Sequence, residues 1–292
     1  MEKKTLSHSV MWDTKSTPSV VEIVTMGLGK PRAGSIFPPP HVYCVIVNLL
    51  LYMCLQIDVA LKTFLPESVE NPEEFFKEAV IMQELDHPCI TKLIGVCHDE
   101  KLMLVVEYIA MGSMREYLLN YPNDISENDL YLWATQIASG MDYLMEKRLV
   151  HRDLAARNIL LKSKQQVKIS DFGLSRALGV DSDYYKATHG GRWPIRWYAP
   201  ECVFYGKFSH ASDVWSYGVT LWEMFSRGDF PFDGFANADQ ILKFVESGKR
   251  LSKPKKCPDQ VYEKMLECWS CTPECRPTFK DLNAFFNDLV HV

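Results

Sequence analysis

The sequence contains no apolar run long enough to cross a lipid bilayer. Its most apolar stretch, residues 41–55, is shorter than the roughly 20 residues that a transmembrane helix needs, and Asn48 interrupts it. The first residues, MEKKTLSHSV, contain no apolar core of a secretion signal. We therefore expect no stable membrane span, no secretion and a cytoplasmic location.

The sequence also lacks an excess of basic residues and a regular arrangement of cysteines. Its net charge is −5, whereas a general nucleic-acid-binding protein is usually basic, so we expect no nucleic-acid partner. Its nine cysteines are an odd number without the spacing of a disulfide framework, which indicates reduced thiols. With 292 residues, 47% of them hydrophobic, the chain can bury a large core in one long domain or in two lobes.

The most specific chemistry lies in residues 150–173, VHRDLAARNILLKSKQQVKISDFG. Asp153 and Asp171 each stand in a short polar segment flanked by β-forming residues, so we predict two tight loops at strand ends. Phosphoryl transfer needs a carboxylate that accepts a hydroxyl proton and oxygen ligands that hold magnesium. The order and spacing of these residues resemble the catalytic and metal-binding loops of protein kinases: Asp153 is followed by Asn158 and then by Asp-Phe-Gly, which begins at Asp171.

Upstream, residues 57–64 (IDVALKTF) are predicted to form a strand that places Lys62 among apolar neighbours, where a lysine is costly unless it is paired. Asn71 and Pro72 favour the start of a helix. Glu78 lies on one face of this helix, sixteen residues after Lys62, together with Phe75, Met82 and Leu85. This separation is typical of the lysine–glutamate pair of kinases. The alternative is two solvated surface charges.

Further elements are predicted from periodicity and capping signals. Two strands are expected at residues 90–96 and 102–106, around a turn at 98–101. Ser126 is predicted to cap a long helix that ends at Lys147 and buries Leu130, Trp133, Ile137, Met141 and Leu144. A last amphipathic helix is expected over residues 279–290.

The chain resembles a non-receptor protein tyrosine kinase, most closely the spleen tyrosine kinase family with its Shark-like members. The resemblance rests on HRDLAARN (151–158), DFGLSRALGVDSDYY (171–185), RWPIRWYAPEC (192–202) and SDVWSYGVTLWE (212–223). It implies an α+β fold with two lobes in a catalytic domain over residues 57–288. The small, β-rich lobe with one main helix would be residues 57–110, and the larger helical lobe residues 111–288.

Residues 1–56 carry no recognisable glycine-rich loop, although a kinase has one before its strand lysine. Residues 1–40 have no clear periodicity, and their prolines and glycines indicate loop. Gly27 and Gly29 lack the third glycine of the motif and lie too far before Lys62. We hypothesise that residues 30–56 come from a splicing or gene-model error that replaces the loop. Finding the same codons in one continuous expressed exon would refute this hypothesis.

The resemblance implies roles for the residues of the two loops. Asp153 would orient the tyrosine hydroxyl and accept its proton, and Arg157 would help to place the substrate. Asn158 and Asp171 would hold Mg²⁺, the cofactor that accompanies ATP.

The resemblance also implies that Mg·ATP binds between the lobes. Lys62, held by Glu78, would orient the α- and β-phosphates. The remaining implied ATP contacts are Ala60, Val106, Glu107, Ile109 and Leu160. For residues 106–109, an ordinary edge strand and linker is the alternative.

Tyrosine specificity is indicated by two positions of the catalytic loop. Serine/threonine kinases usually place a lysine two positions after the catalytic aspartate, whereas this chain has Ala155 there and Arg157 two positions further on. Tyr184 and Tyr185 follow acidic residues, a setting that resembles tyrosine-kinase substrates, and they are the expected autophosphorylation sites. Phosphorylated, either would pair with Arg152 or Arg176. The alternative is two solvent-exposed loop tyrosines.

Three residues are expected to have structural roles. Asp213 would brace the catalytic-loop backbone, and Glu201 would pair with Arg276, as in related kinases. Removing one partner of such a buried pair should cost about 3–5 kcal/mol.

The spacing of Cys268, Cys271 and Cys275 invites a zinc interpretation. It lacks a convincing fourth ligand nearby, and Trp269 and Phe279 favour helix packing instead. We therefore expect no zinc.

The implied partners are protein substrates that bear tyrosine. Phosphorylated receptors would bind through regions outside this chain and recruit it to the inner face of the plasma membrane. The alternative is a catalytically impaired pseudokinase or truncated scaffold, which the missing glycine-rich loop favours and the presence of the charged site residues opposes. A membrane-anchored receptor fragment is supported only by residues 41–55.

Overall fold

The computed structural model describes residues 19–25, 58–64, 72–98, 102–179, 182–187 and 193–290. The chain forms two compact units. The first comprises residues up to 86 together with 91–109, and the second comprises residues 87–90 together with those from 110 onward.

The first unit contains a four-stranded antiparallel sheet and one described helix. Its strands are β1 (Ser19–Thr25), β2 (Asp58–Phe64), β3 (Leu93–His98) and β4 (Leu102–Glu107), in the order β1-β2-β4-β3. The helix is α1 (Pro72–Gln83). Val59, Leu61 and Val105 form a buried cluster, because alternate residues of a strand point to the same face. These bounds confirm the predicted strand before the helix and the helix that starts at Pro72.

Strand β1 shows that the prediction of loop throughout residues 1–40 is wrong. Ser19–Thr25 pairs with β2 from Ser19↔Phe64 to Thr25↔Asp58. Its sequence, SVVEIVT, is rich in β-branched residues, which favour strands. The surrounding prolines and glycines mask this short pattern. The apolar stretch 41–55, Gly27 and Gly29 lie outside the described residues.

The second unit is mainly helical. Its described helices are α2 (Met114–Asn120), α3 (Glu127–Glu146), α4 (Pro200–Tyr205), α5 (His210–Phe225), α6 (Ala238–Glu246), α7 (Asp259–Cys268) and α8 (Phe279–Val290). Ser126 caps α3 in a capping box with Asp129. The predicted apolar face of α3 is at most 1% exposed and packs along α8. The long helix, its buried face and the last helix are thereby confirmed.

Short strands set the positions of the two aspartate loops. β5 (Leu149–Val150) pairs with β8 (Arg176–Ala177), and β6 (Ile159–Ser163) pairs with β7 (Gln166–Ile169). β9 (Tyr185–Lys186) pairs with β10 (Lys207–Phe208). The loop after β5 contains Asp153, and Asp171 follows β7, as the sequence predicts.

The predicted α+β class, with a strand-rich unit and a larger helical unit, is confirmed. Among the helices of the described ranges, none has the length and apolar character required to cross a membrane.

Candidate active site

A buried ion pair lies in the first unit. Lys62 of β2 donates hydrogen bonds to both carboxylate oxygens of Glu78, at 2.8 and 3.1 Å. Glu78, on α1, is 2% exposed, and the Lys62 side chain is 15% exposed. The attraction between the two charges offsets the free energy that each loses when it is removed from water. These values do not fit two solvated surface charges.

The other predicted ATP contacts lie in two places. Ala60 is buried and stands opposite Val106 in the β2–β4 ladder, and Ile109 is also buried. Glu107 forms two hydrogen bonds with Lys92: its N–H donates to the Lys92 carbonyl at 3.0 Å, and its Oε1 accepts from the Lys92 N–H at 2.8 Å.

Leu160, the last of these predicted contacts, belongs to the second unit. It lies on β6 and forms an isolated β-bridge with Ser113. Whether any of these residues contacts ATP stays a prediction.

In the second unit, Asp213 of α5 fixes the backbone directly before Asp153. Its carboxylate accepts hydrogen bonds from the N–H groups of His151 at 2.8 Å and Arg152 at 3.0 Å. Arg152 has a φ of 69°, a left-handed conformation that costs about 1–3 kcal/mol in a non-glycine residue. Burial raises the pKa of Asp213 to about 7, although these two hydrogen bonds oppose the shift. The two hydrogen bonds help to stabilise the strained backbone.

Asp153 is almost fully buried, and hydrogen bonds hold both its carboxylate and its backbone. Arg157 forms an ion pair with its carboxylate, and Asn158 Nδ2 donates to its backbone carbonyl at 2.7 Å. Its own N–H donates to His151 Nδ1 at 3.2 Å. Burial raises the pKa of Asp153 to about 6, and the charge of Arg157 opposes this shift. A carboxylate that titrates this close to neutral pH is suited to accept a proton.

The loop with Asp171 is tied to the loop with Asp153. Ser170 donates to the Asn158 carbonyl through its N–H at 2.8 Å and through its hydroxyl at 2.9 Å. Asp171 has a φ of 63°, again in the left-handed region, and the next residue, Phe172, is 1% exposed. These contacts bring the backbones of two predicted metal ligands, Asn158 and Asp171, into one neighbourhood.

The donor chemistry of these two residues fits Mg²⁺, which prefers oxygen ligands. Asp171 offers a carboxylate. Because the amide nitrogen of Asn158 is used in the bond to Asp153, its amide oxygen is the atom with which it would bind an ion.

The two predicted phosphorylation sites have different cationic neighbours. The Tyr184 side chain is exposed, and Lys207 Nζ lies 4.8 Å from its ring centroid. The Tyr185 ring is half-buried, with the guanidinium carbons of Arg152 and Arg176 at 4.9 and 5.9 Å from its centroid. The structure thus brings the two predicted arginines to Tyr185. Lys207, which the sequence reasoning missed, lies beside Tyr184.

Arg276 and Glu201 form a bidentate ion pair. The two terminal nitrogens of Arg276 donate to the two carboxylate oxygens of Glu201 at 2.6 and 2.9 Å. The Arg276 side chain is 0% exposed, and that of Glu201 is 16% exposed. Arg276 also donates to the carbonyls of Ser270 and Ala211, so its charge is embedded in hydrogen bonds.

The cysteines considered for zinc differ in exposure. Cys268 is buried in α7, whereas Cys271 and Cys275 are exposed. Arg250 donates to Cys271 Sγ at 3.0 Å. Trp269 and Phe279 are buried, as helix packing requires.

Sequence reasoning also missed Glu223, a fully buried carboxylate on α5. Its Oε2 accepts hydrogen bonds from the Ala156 N–H and from Trp197 Nε1, both at 2.9 Å. The available signal was an acidic residue in an otherwise apolar helix, VWSYGVTLWEMF, where a buried charge needs partners.

A family model described as protein tyrosine and serine/threonine kinase matches residues 49–286 of this chain. Tyrosine-protein kinase HTK16 of Hydra vulgaris is 54% identical over 233 residues, which cover 80% of this chain and 31% of that protein. Tyrosine-protein kinase Shark of Drosophila melanogaster is 52% identical over 232 residues, 79% of this chain and 24% of that protein.

Tyrosine-protein kinase ZAP-70 of Mus musculus is 48% identical over 226 residues, 77% of this chain and 36% of that protein. The chain therefore spans between about a quarter and about a third of the length of these curated relatives.

Proposed function

Because the chain belongs to the family of protein tyrosine and serine/threonine kinases, we propose that it transfers the γ-phosphate of ATP to tyrosine residues of proteins. The observation that carries this proposal is Asp153, a buried carboxylate that forms an ion pair with Arg157; burial raises its pKa to about 6. Tyrosine as the acceptor is supported by Ala155 and Arg157 in the catalytic loop and by relatives that are named tyrosine-protein kinases.

Asp153 orients the hydroxyl of the substrate tyrosine and accepts its proton. Arg157 limits the movement of this carboxylate, and its positive charge favours the ionised form. Since the transition state of phosphoryl transfer is loose, most of the catalysis comes from positioning and charge stabilisation. Both contributions depend on a catalytic loop that is kept in one conformation.

ATP is the phosphate donor. Lys62 orients the α- and β-phosphates, and its two hydrogen bonds to Glu78 fix the ammonium group for this task. In the first unit, Ala60 and the backbone of Glu107 and Ile109 would contact the adenine; in the second unit, Leu160 is the residue that would do so. Val106 borders the pocket behind it.

Mg²⁺ neutralises charge on the phosphates when it is bound. The side-chain oxygens of Asn158 and Asp171 would hold it, and the hydrogen bonds from Ser170 to the Asn158 carbonyl connect the loops that carry these two residues. These bonds reduce the number of conformations that must be ordered when the ion binds.

The catalytic domain comprises residues 57–288, with Tyr184 and Tyr185 as autophosphorylation sites. The chain acts in intracellular signalling in the cytoplasm. Phosphorylated receptors recruit it to the plasma membrane through regions outside this sequence.

A radiometric assay with Mg·ATP and matched peptides tests this function. One peptide carries a single tyrosine, and in the second and third peptides serine or threonine replaces that tyrosine. We expect phosphate only on the tyrosine peptide, and none with the Asp153→Asn variant. Equal phosphorylation of the serine peptide would refute tyrosine specificity. A folded chain without transfer to any peptide would favour the pseudokinase alternative.

A further inference from the structure

Glu223 is a carboxylate whose burial costs free energy, and one of its oxygens accepts two hydrogen bonds. The residue is 0% exposed, so its polar atoms need partners inside the protein. Its Oε2 accepts from the backbone N–H of Ala156 and from the indole N–H of Trp197, each at 2.9 Å. Its Oε1 has no hydrogen-bond partner among the described residues. The contacts of Glu223 thus converge on two donors.

Both donors border Arg157. Ala156 begins the short 3₁₀ turn Ala156–Asn158, which carries Arg157 as its middle residue. Trp197 provides an aromatic surface for the same side chain, since the guanidinium carbon of Arg157 lies 4.3 Å from the ring centroid. The same guanidinium forms an ion pair with Asp153. One buried oxygen therefore fixes both the backbone and the stacking surface of the arginine that pairs with the catalytic base.

We propose that Glu223 is a positioning residue for phosphoryl transfer, which acts on Asp153 through Ala156, Trp197 and Arg157. The inference rests on the proposed function and adds to it a residue that does not touch substrate. An arginine side chain has many rotamers, and stacking on a ring of fixed orientation restricts them. Because a displacement of about 1 Å at a catalytic group can cost about 10²-fold in rate, small losses of this restriction are measurable.

The two hydrogen bonds of Glu223 need an acceptor oxygen but not a negative charge, so substitutions can separate the two properties. In Glu223→Gln, the amide oxygen can occupy the place of Oε2 and accept from both donors, while the amide nitrogen takes the place of Oε1. Glu223→Leu has a similar volume and no acceptor. Trp197→Phe removes the indole N–H and keeps an aromatic surface for Arg157. Trp222→Phe is the matched control, because Trp222 Nε1 donates to the Ser252 carbonyl, away from this network.

The test measures kcat and the KM for ATP with a tyrosine peptide for the wild type and the four variants. We expect Glu223→Leu to lower kcat about 10²-fold with little change in the KM for ATP, and Glu223→Gln to stay within about tenfold of the wild type. Trp197→Phe should lower kcat, whereas Trp222→Phe should not. An equal loss in the Gln and Leu variants overturns the acceptor role, and wild-type kcat in a folded Leu variant overturns the positioning role.

If Glu223→Leu does not fold, Trp197→Phe decides, and a wild-type kcat in that variant overturns the inference. A second readout needs no turnover: hydrogen exchange of the Ala156 amide and the Trp197 indole N–H, followed by NMR. Both groups should be protected in the wild type and in Glu223→Gln. Fast exchange of both in the wild type would overturn the positioning role of Glu223. An inactive wild type with both groups protected would refute the proposed function, but it would support the two hydrogen bonds by which Glu223 holds Ala156 and Trp197.

Discussion

The ion pair between Glu201 and Arg276 allows a stability prediction with a matched control. Glu201→Gln is nearly isosteric and keeps one acceptor oxygen, but it leaves Arg276 without a counter-charge. The Arg276 side chain is 0% exposed; among the described residues it keeps the carbonyls of Ser270 and Ala211 and the face of Trp215, which carry no charge. A buried charge that loses its partner costs about 3–5 kcal/mol.

The same substitution at an exposed pair should have little effect. Glu267 accepts from Lys264 Nζ at 2.6 Å, but its side chain is 50% exposed. Such pairs contribute about 0–1 kcal/mol. For a domain of this size, 1 kcal/mol shifts the melting temperature by about 2–4 °C. We therefore expect Glu201→Gln to melt about 6–20 °C below the wild type, and Glu267→Gln within about 4 °C of it.

Urea unfolding followed by tryptophan fluorescence gives the free energies directly. Arg276→Met and the double variant with Glu201→Gln complete a double-mutant cycle. We expect the double variant to cost clearly less than the sum of the single variants, because it contains no uncompensated charge. Additive effects below about 1 kcal/mol each would refute the view that burial makes this pair important.

Three further predictions concern the charged residues of the site. First, kcat/KM for the tyrosine peptide should rise as pH increases through about 6, because burial raises the pKa of Asp153 to this value and the base must lose its proton; a flat profile from pH 5 to 8 would contradict this.

Second, burial raises the pKa of Glu223 to about 7, so the folded state binds more protons than the unfolded state between about pH 4.5 and 7 and loses stability as pH rises. In urea unfolding, the free energy of unfolding of Glu223→Gln should therefore rise relative to that of the wild type by at most about 3 kcal/mol between pH 5 and 8. A difference between the two proteins that does not change with pH would contradict this prediction. Third, Lys62→Met should abolish phosphate transfer, and it should lower the melting temperature because the buried Glu78 loses its lysine partner. Lys77 is exposed, so Lys77→Met should do neither; activity assays and melting curves of both variants check this.

Local patterns in the sequence predict much of the fold. The apolar face of α3 follows the helical period, and Ser126 indicates its start, so burial and bounds agree with the structure. The strand β2 is likewise readable from alternation and β-branched residues. The sequence does not reveal β1, because its seven residues are flanked by prolines and glycines and its pairing with β2 is a long-range contact that no local pattern specifies.

The candidate site divides in the same way. Lys62, Glu78, Asp153 and Asp171 occur in motifs whose spacing is readable from the sequence. The contacts of Glu223 join residues 67 and 26 positions apart, and only the packing of α5 brings them together.

The side-chain neighbours of Tyr184 illustrate the same limit. The sequence predicts Arg152 or Arg176 near either tyrosine, whereas the structure brings both arginines to Tyr185 and Lys207 to Tyr184. Sequence alone does not provide such tertiary contacts.

Autophosphorylation mapped by mass spectrometry tests the central claim most directly. The purified chain is incubated with Mg·ATP beside an Asp153→Asn control, and phosphotyrosine is located by fragmentation. Phosphate on Tyr184 or Tyr185 in the wild type alone is the result we predict for an active tyrosine kinase. A folded wild-type chain that acquires no phosphotyrosine, or an Asp153→Asn variant that acquires as much as the wild type, would contradict the account.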